Sequence, residues 1–244
     1  MRLKKLFLFF LFLTVMIPVM SEHLKYNLSV SVGFISIGIG ESTMSDKDVK
    51  YNGESARKLQ MTMTSGKTAD ALYQIRDTIT SYNSLDGNGL FYCKVTNENN
   101  RHDRETAHFS YEKGDYKVEL VARSNDGSLL DRNTVKGRER IYDMLNMLQF
   151  TRALDSRKLK KGDSVTLQMV NGTLVVKQYI VYEGDKTIKA DDGKIYDCHI
   201  LSIRDRKYGE ERETLKAFVT KNQDHLPVQL NIKLSFGYIK ALLK

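Results

Sequence analysis

Five histidines, two cysteines and an arginine–aspartate pair are the residues of this chain with the most chemistry in them. His23, His102, His108, His199 and His225 form no HExxH helix and no recognisable metal-ligand spacing. His102 and His108 flank an expected loop-to-strand junction, which suits solvent-exposed imidazoles better than ligation. Cys198 and His199 are neighbours, so on a strand they point to opposite faces, which argues against a thiolate–imidazole pair. Cys93 and Cys198 lack the CxxC spacing of a zinc site. Two readings of them stay open: a disulfide, if their strands meet bridging geometry in an oxidising compartment, or two buried thiols acting as small apolar residues. There is no GxSxG elbow, and Gly38-Ile39-Gly40 opens no helix and so is no phosphate loop. Asp191-Asp192 fits a hairpin turn better than a calcium site. The sequence therefore assigns no catalytic residue, no metal ligand and no cofactor.

Asp77, beside Arg76, is the best polar candidate. If Ile75 faces inward on a strand, Asp77 does too, and a buried carboxylate must be paired or hydrogen-bonded. The expected partner is Arg152, in an ion pair fixing a helix to the sheet. A polar contact within a ligand cavity is the functional alternative. Met144, Met147, Leu148 and Phe150 form a soft apolar surface on that helix. Flexible methionines suit adaptable binding of an apolar ligand, although they fill cores as well.

These residues are positioned by a chain that alternates. Leu24, Tyr26, Leu28, Val30 and Val32 are separated by polar residues, as are Leu59, Met61 and Met63, and Tyr116, Val118, Leu120 and Ala122. Leu226, Val228, Leu230, Ile232 and Leu234 repeat the pattern, with Pro227 suited to a strand start. Period two marks strands with one wet face. The run Ala69–Leu85 alternates poorly and is also read as strand. Asn171-Gly172 predicts a type I′ hairpin turn, and Asp86-Gly87, Asn125-Asp126-Gly127 and Asp192-Gly193 are further turn signals. About a dozen short strands joined by hairpins predict an antiparallel sheet, and a sheet that wide must curl, split or close. The expected fold is a mainly β antiparallel barrel or strongly curved sheet, with one short helix over about 140–153. Ile141, Leu145 and Leu148 share a face of that helix, which packs on the sheet or plugs one end of the barrel.

The amino terminus carries Arg2, Lys4 and Lys5, then an apolar run from Leu6 to about Val19. That run is shorter than the ~20 residues of a membrane span and reads as a signal peptide cut after about Ser21. The expected product is one domain, residues 22–244, in the periplasm or secreted, with no stable membrane span. Loss of those three basic residues takes the formal charge from +8 to +5. The remaining basic residues interleave with acids, as in Arg138-Glu139-Arg140, instead of forming the clustered patch of a nucleic-acid binder.

Four stretches together resemble the bacterial exported family known as domain of unknown function 3108. They are Gly33-Phe34-Ile35-Ser36-Ile37-Gly38; Tyr73-Gln74-Ile75-Arg76-Asp77 with Ser81-Tyr82; Tyr142-Asp143-Met144-Leu145 through Phe150-Thr151-Arg152 to Lys161-Gly162-Asp163; and Leu226-Pro227-Val228-Gln229 through Gly237-Tyr238-Ile239-Lys240-Ala241-Leu242. The family often has Trp in the strand before the LPV stretch, where this chain has Ala217-Phe218-Val219-Thr220. The resemblance implies an exported β domain and no enzymatic activity. The function expected is non-enzymatic binding of an apolar or amphipathic molecule, such as a lipid or glycan precursor, in the cell envelope. The alternative is a structural or protein-interaction module with an envelope protein partner; a hydrolase or lyase ranks third.

Overall fold

The computed structural model describes residues 22–71, 73–112, 114–154, 159–207, 210–235 and 237–244. The expected leader and its cleavage site fall outside the described residues. The alternating segments form two meanders. The first comprises β1 (Glu22–Val32), β2 (Ile35–Tyr51), β3 (Glu54–Ser65), β4 (Arg76–Ser84), β5 (Gly89–Glu98), β6 (Arg101–Glu112), β7 (Asp115–Ser124) and β8 (Leu129–Gly137). The second comprises β9 (Ile141–Tyr142), β10 (Ser164–Asn171), β11 (Leu174–Lys189), β12 (Ile195–Lys207), β13 (Glu210–Thr220), β14 (Pro227–Lys233) and β15 (Tyr238–Leu243). Helix α1 (Lys67–Asp70) lies between β3 and β4, and α2 (Met144–Ala153) follows β9.

Pairing of β1 with β15 joins the meanders into one sheet, ordered from β8 through β1 and β15 to β9. Every pair is antiparallel except β9 with β10, a two-residue parallel contact. The sheet curls. Helix α2 packs on β3 and β4 in one half and on β10 in the other, strands far apart in the ladder. At the sheet's ends, Asn133 Nδ2 of β8 donates to Thr173 O in the β10–β11 turn at 2.9 Å, and Thr173 Oγ1 donates to Asp131. Side chains, not a β8–β9 ladder, bring the two edges together among the described residues.

The curled sheet has two ends. Helix α2 occupies one, near the start of β1 and the β4–β5 and β13–β14 turns. The β1–β2, β5–β6, β7–β8, β10–β11 and β14–β15 turns lie at the other, the hairpin end. The core fills the inner face, with Tyr26, Leu120, Ile180, Leu201 and Leu230 among its fully or nearly fully buried side chains.

Three expectations are corrected. The helix starts at Met144, because Arg140 stays outside it and Ile141–Tyr142 are extended as β9. Asp143 then caps it, accepting from Leu145 N and Asn146 N. In the run Ala69–Leu85, strand begins only at Arg76, after the α1 turn. At the β10–β11 turn, Asn171 pairs with Leu174, so the loop is Gly172-Thr173 with only Gly172 at positive φ, the pattern of a type II′ turn. The type I′ geometry falls instead at Asn52-Gly53, with φ of 52° and 87°.

Candidate functional site

The helix end is a closed, hydrogen-bonded plug. Ser81 Oγ of β4 donates to Asp143 Oδ2 at 2.6 Å, while Asp143 Oδ1 accepts the two backbone amides that begin α2. Burial pushes the Asp143 carboxyl up to about 6, against the lowering effect of those hydrogen bonds. Asn146 Nδ2 donates to Gly87 O at 2.9 Å, and Arg140 donates to the same carbonyl. Gln149 Nε2 reaches Asp46 on β2 at 2.9 Å. Arg152 holds Glu22 with two nitrogens, at 2.7 and 2.9 Å, and donates through Nε to His225 O at 2.8 Å.

The expected Asp77–Arg152 ion pair is therefore corrected: Arg152 pairs with Glu22. Asp77 is the second residue of β4, near the hairpin end and four residues from Ser81, whereas Arg152 sits at the far end of the helix. Asp77 is buried as anticipated but accepts from Asn97 N at 2.8 Å. Burial raises its carboxyl above the ordinary range, with the Asn97 amide working in the opposite direction. Of the four apolar helix residues, Met147 and Leu148 are buried in the core, and Met144 and Phe150 are half-buried against it. They act as core, and neither cleft described below is lined by them.

Cys93 on β5 and Cys198 on β12 are free thiols, with the strands β4 to β1 and β15 to β13 between them in the sheet. The disulfide alternative is not realised. Burial pushes the Cys198 thiol up to about 11, leaving it a poor nucleophile. The neighbouring His199 is buried and meets a group that the sequence did not suggest. Its Nδ1 lies 2.7 Å from Asp185 Oδ1; Tyr182 Oη donates to the same oxygen at 2.7 Å, and Lys221 donates to Oδ2. Burial works to raise Asp185, but Lys221, Tyr182 and His199 outweigh it and hold the carboxyl at about 2. In a catalytic triad or a metal site, an imidazole oriented in this way serves a hydroxyl, a thiol or a metal ion. Among the described residues no hydroxyl or thiol hydrogen-bonds to His199, and no group of three or more His, Cys, Asp or Glu could hold a metal ion.

The hairpin end is different. Eight of the eleven exposed large apolar side chains among the described residues lie there, which makes it the candidate surface. Its main feature is the β1–β2 hairpin. Tyr26 and Leu28 point into the core; by strand alternation Val30 and Val32 share their face, and Ile37 and Ile35 lie opposite those two on β2. Ile239 of β15 pairs with Val30 and extends the stripe. The core face thus runs past the rim, where Ile35 and Ile37 are 66% and 63% exposed. A bulge at Leu28/Ser29 shifts the register between β1 and β2, β15 pairs with β1 as far as Ser31, and β3 stops pairing with β2 at Gly40. Gly40 is required there: a Cβ would lie 2.0 Å from Thr64 O.

Two clefts open at this end. One of about 460 Å³ lies between the β5–β6 and β7–β8 turns, lined by Asn97, His102, Arg104 and Arg123. The other, about 320 Å³, lies at the base of the hairpin beside Gly38, Gly40 and Lys240. On the inner face, Ser42 Oγ, Thr96 Oγ1 and Gln178 Oε1 are buried without a protein hydrogen-bond partner. Such atoms are uncommon and call for a ligand, a water or an exchange of partners.

The sequence profile of the family described as "Protein of unknown function (DUF3108)" matches residues 25–244. The chain belongs to the DUF3108 family. No curated protein matches this DUF3108 chain. Among solved structures, it is similar to a β-barrel-like protein of the domain of unknown function DUF1849 from Brucella abortus, with a TM-score of 0.59 and 10% identity over 92% of this chain and 95% of that one. At that identity the likeness concerns the fold. Among the described residues of this DUF3108 member, no helix is long and apolar enough to cross a membrane.

Proposed function

We propose that this protein is an exported, non-enzymatic component of the cell envelope that binds an apolar or amphipathic molecule, such as a lipid or glycan precursor, at its hairpin end. The apolar face of β1 and β2 carries this reading, because it continues beyond the rim into exposed Val32, Ile35 and Ile37. Contiguous exposed apolar surface of this kind marks binding sites. An acyl or isoprenoid chain would lie along the stripe, and a polar group would meet the unpartnered atoms of Ser42, Thr96 or Gln178. The leader-like start, Arg2 to Val19, supports export, with cleavage after about Ser21 leaving residues 22–244 as one domain. The test is native mass spectrometry of protein recovered from the envelope fraction. It should retain a lipophilic adduct that an Ile37→Ser variant loses, and its mass should begin near Glu22. An adduct-free protein that also takes up no lipophilic dye would overturn the reading.

A second reading is a protein-interaction module. It is favoured by β8, an edge strand that ladders only with β7 and whose side chains are almost all exposed. Such edges are templates for strand addition. Pull-down of a β-rich envelope protein that is lost on introducing a proline into β8 would support it.

A further inference from the structure

We infer that the tip of the β1–β2 hairpin docks the protein onto an anionic lipid surface. Residues 26–40 contain no charged side chain. At their apex Phe34 is fully exposed, with Val32 and Ile35 beside it. The tip projects because β15 pairs with β1 only as far as Ser31–Tyr238, and β3 leaves β2 at Gly40. Gly237 closes that junction, since a Cβ there would lie 2.2 Å from Ser31 O. Tyr238, level with Ser31, sits at the depth where an amphipathic ring meets lipid headgroups.

The charge around the tip chooses lipid over an apolar protein pocket. Lys233 pairs across from Tyr238, Lys240 across from Ser29, and Lys67 follows Gly66, whose amide donates to Ile39 O at 2.8 Å. None of these three lysines forms an ion pair among the described residues, whereas nearby Glu41 is paired with Lys244 and Asp70 with Arg76; Asp191, which lines the cleft beside Lys240, keeps its charge and accepts from neutral Asn27. An apolar apex ringed by free ammonium groups matches a bilayer of acidic phospholipid, with the rings and aliphatic groups below the headgroups and the lysines among them. This docking goes beyond the ligand reading and does not require it, since Phe34 and the lysines lie outside the stripe.

The test is sedimentation with vesicles, using the protein from Glu22 onward, which holds all fifteen strands and both helices. It should co-sediment with phosphatidylcholine vesicles containing phosphatidylglycerol, and far less with phosphatidylcholine alone. Phe34→Ser should weaken binding about tenfold. Lys67→Gln, Lys233→Gln and Lys240→Gln should each weaken it about fivefold, and added salt should do the same. Phe34, Lys67 and Lys233 are exposed and Lys240 is half-buried, so thermal melting should confirm intact folding, and a Phe34→Trp variant should show a blue-shifted emission on vesicles. Equal binding to both vesicle types, no binding to either, or full binding by Phe34→Ser would each overturn the inference. Dye uptake, measured on the same variants without vesicles, separates the two readings. Vesicle failure with dye uptake intact removes docking alone, and the reverse removes the ligand site alone.

Discussion

Replacing Asp143 with Asn isolates the electrostatics of the plug. Asn can keep the geometry: its oxygen can accept from Leu145 N and Asn146 N, and its amide can donate to Ser81 Oγ. Only the titration is lost. In the unfolded chain the carboxyl titrates near 3.9, and burial raises it to about 6 in the fold. The folded state therefore binds a proton more tightly. The stability this group contributes is full below about pH 4 and is lost as pH rises through about 6. Ionisation at pH 7 costs about 3 kcal/mol, and at pH 4 only about 0.5 kcal/mol. The parent should thus lose about 2 kcal/mol more than Asp143→Asn between pH 4 and pH 7. Asp46 and Asp77, also raised by burial, are present in both proteins and cancel. Urea unfolding followed by far-ultraviolet circular dichroism at each pH measures the difference. Parallel stability curves for the two proteins would mean instead that the buried carboxyl titrates as it does in water.

Other outcomes follow from the packing. A double-mutant cycle should give a coupling of about 1 kcal/mol or more between Arg152 and Glu22, and none between Arg152 and Asp77. Gly40→Ala should cost about 3 kcal/mol or more, because the new methyl collides with backbone, while Gly38→Ala, with nothing within 4 Å, should melt like the parent. At pH 8 iodoacetamide should label half-buried Cys93 well before Cys198 in the folded protein and both rapidly in urea, and equal labelling rates in the fold would contradict the burial of Cys198.

The strands were legible because their residues keep period two over long runs, and Pro227 marks the start of β14. The curl followed from strand number, and the helix from the spacing of Leu145 and Leu148. Its true start was also written in the chain, since an aspartate before an apolar run is a capping signal, but the apolar Ile141 and Tyr142 extended the pattern backward into β9. The partner of Arg152 was not legible. It depends on the curl bringing the first residue of β1 and the β13–β14 turn to one helix end, contacts 130 and 73 residues distant in the chain. Likewise, alternation in Val32, Ile35 and Ile37 fixes which face they share, but not that the neighbouring strands stop short and leave that face uncovered. The Asp185–His199 contact needs two strands to pair in a particular register across a bulge, which local pattern does not specify.

The chain contains no tryptophan, so a single one placed on the stripe becomes an unambiguous reporter. Ile37→Trp, with Leu85→Trp at the helix end as control, should be titrated with a brominated lysophospholipid held below its micelle concentration. Saturable quenching and a blue shift at position 37, with position 85 unchanged, is the predicted result. Equal quenching at both positions, or none at 37, would contradict ligand binding at the hairpin end.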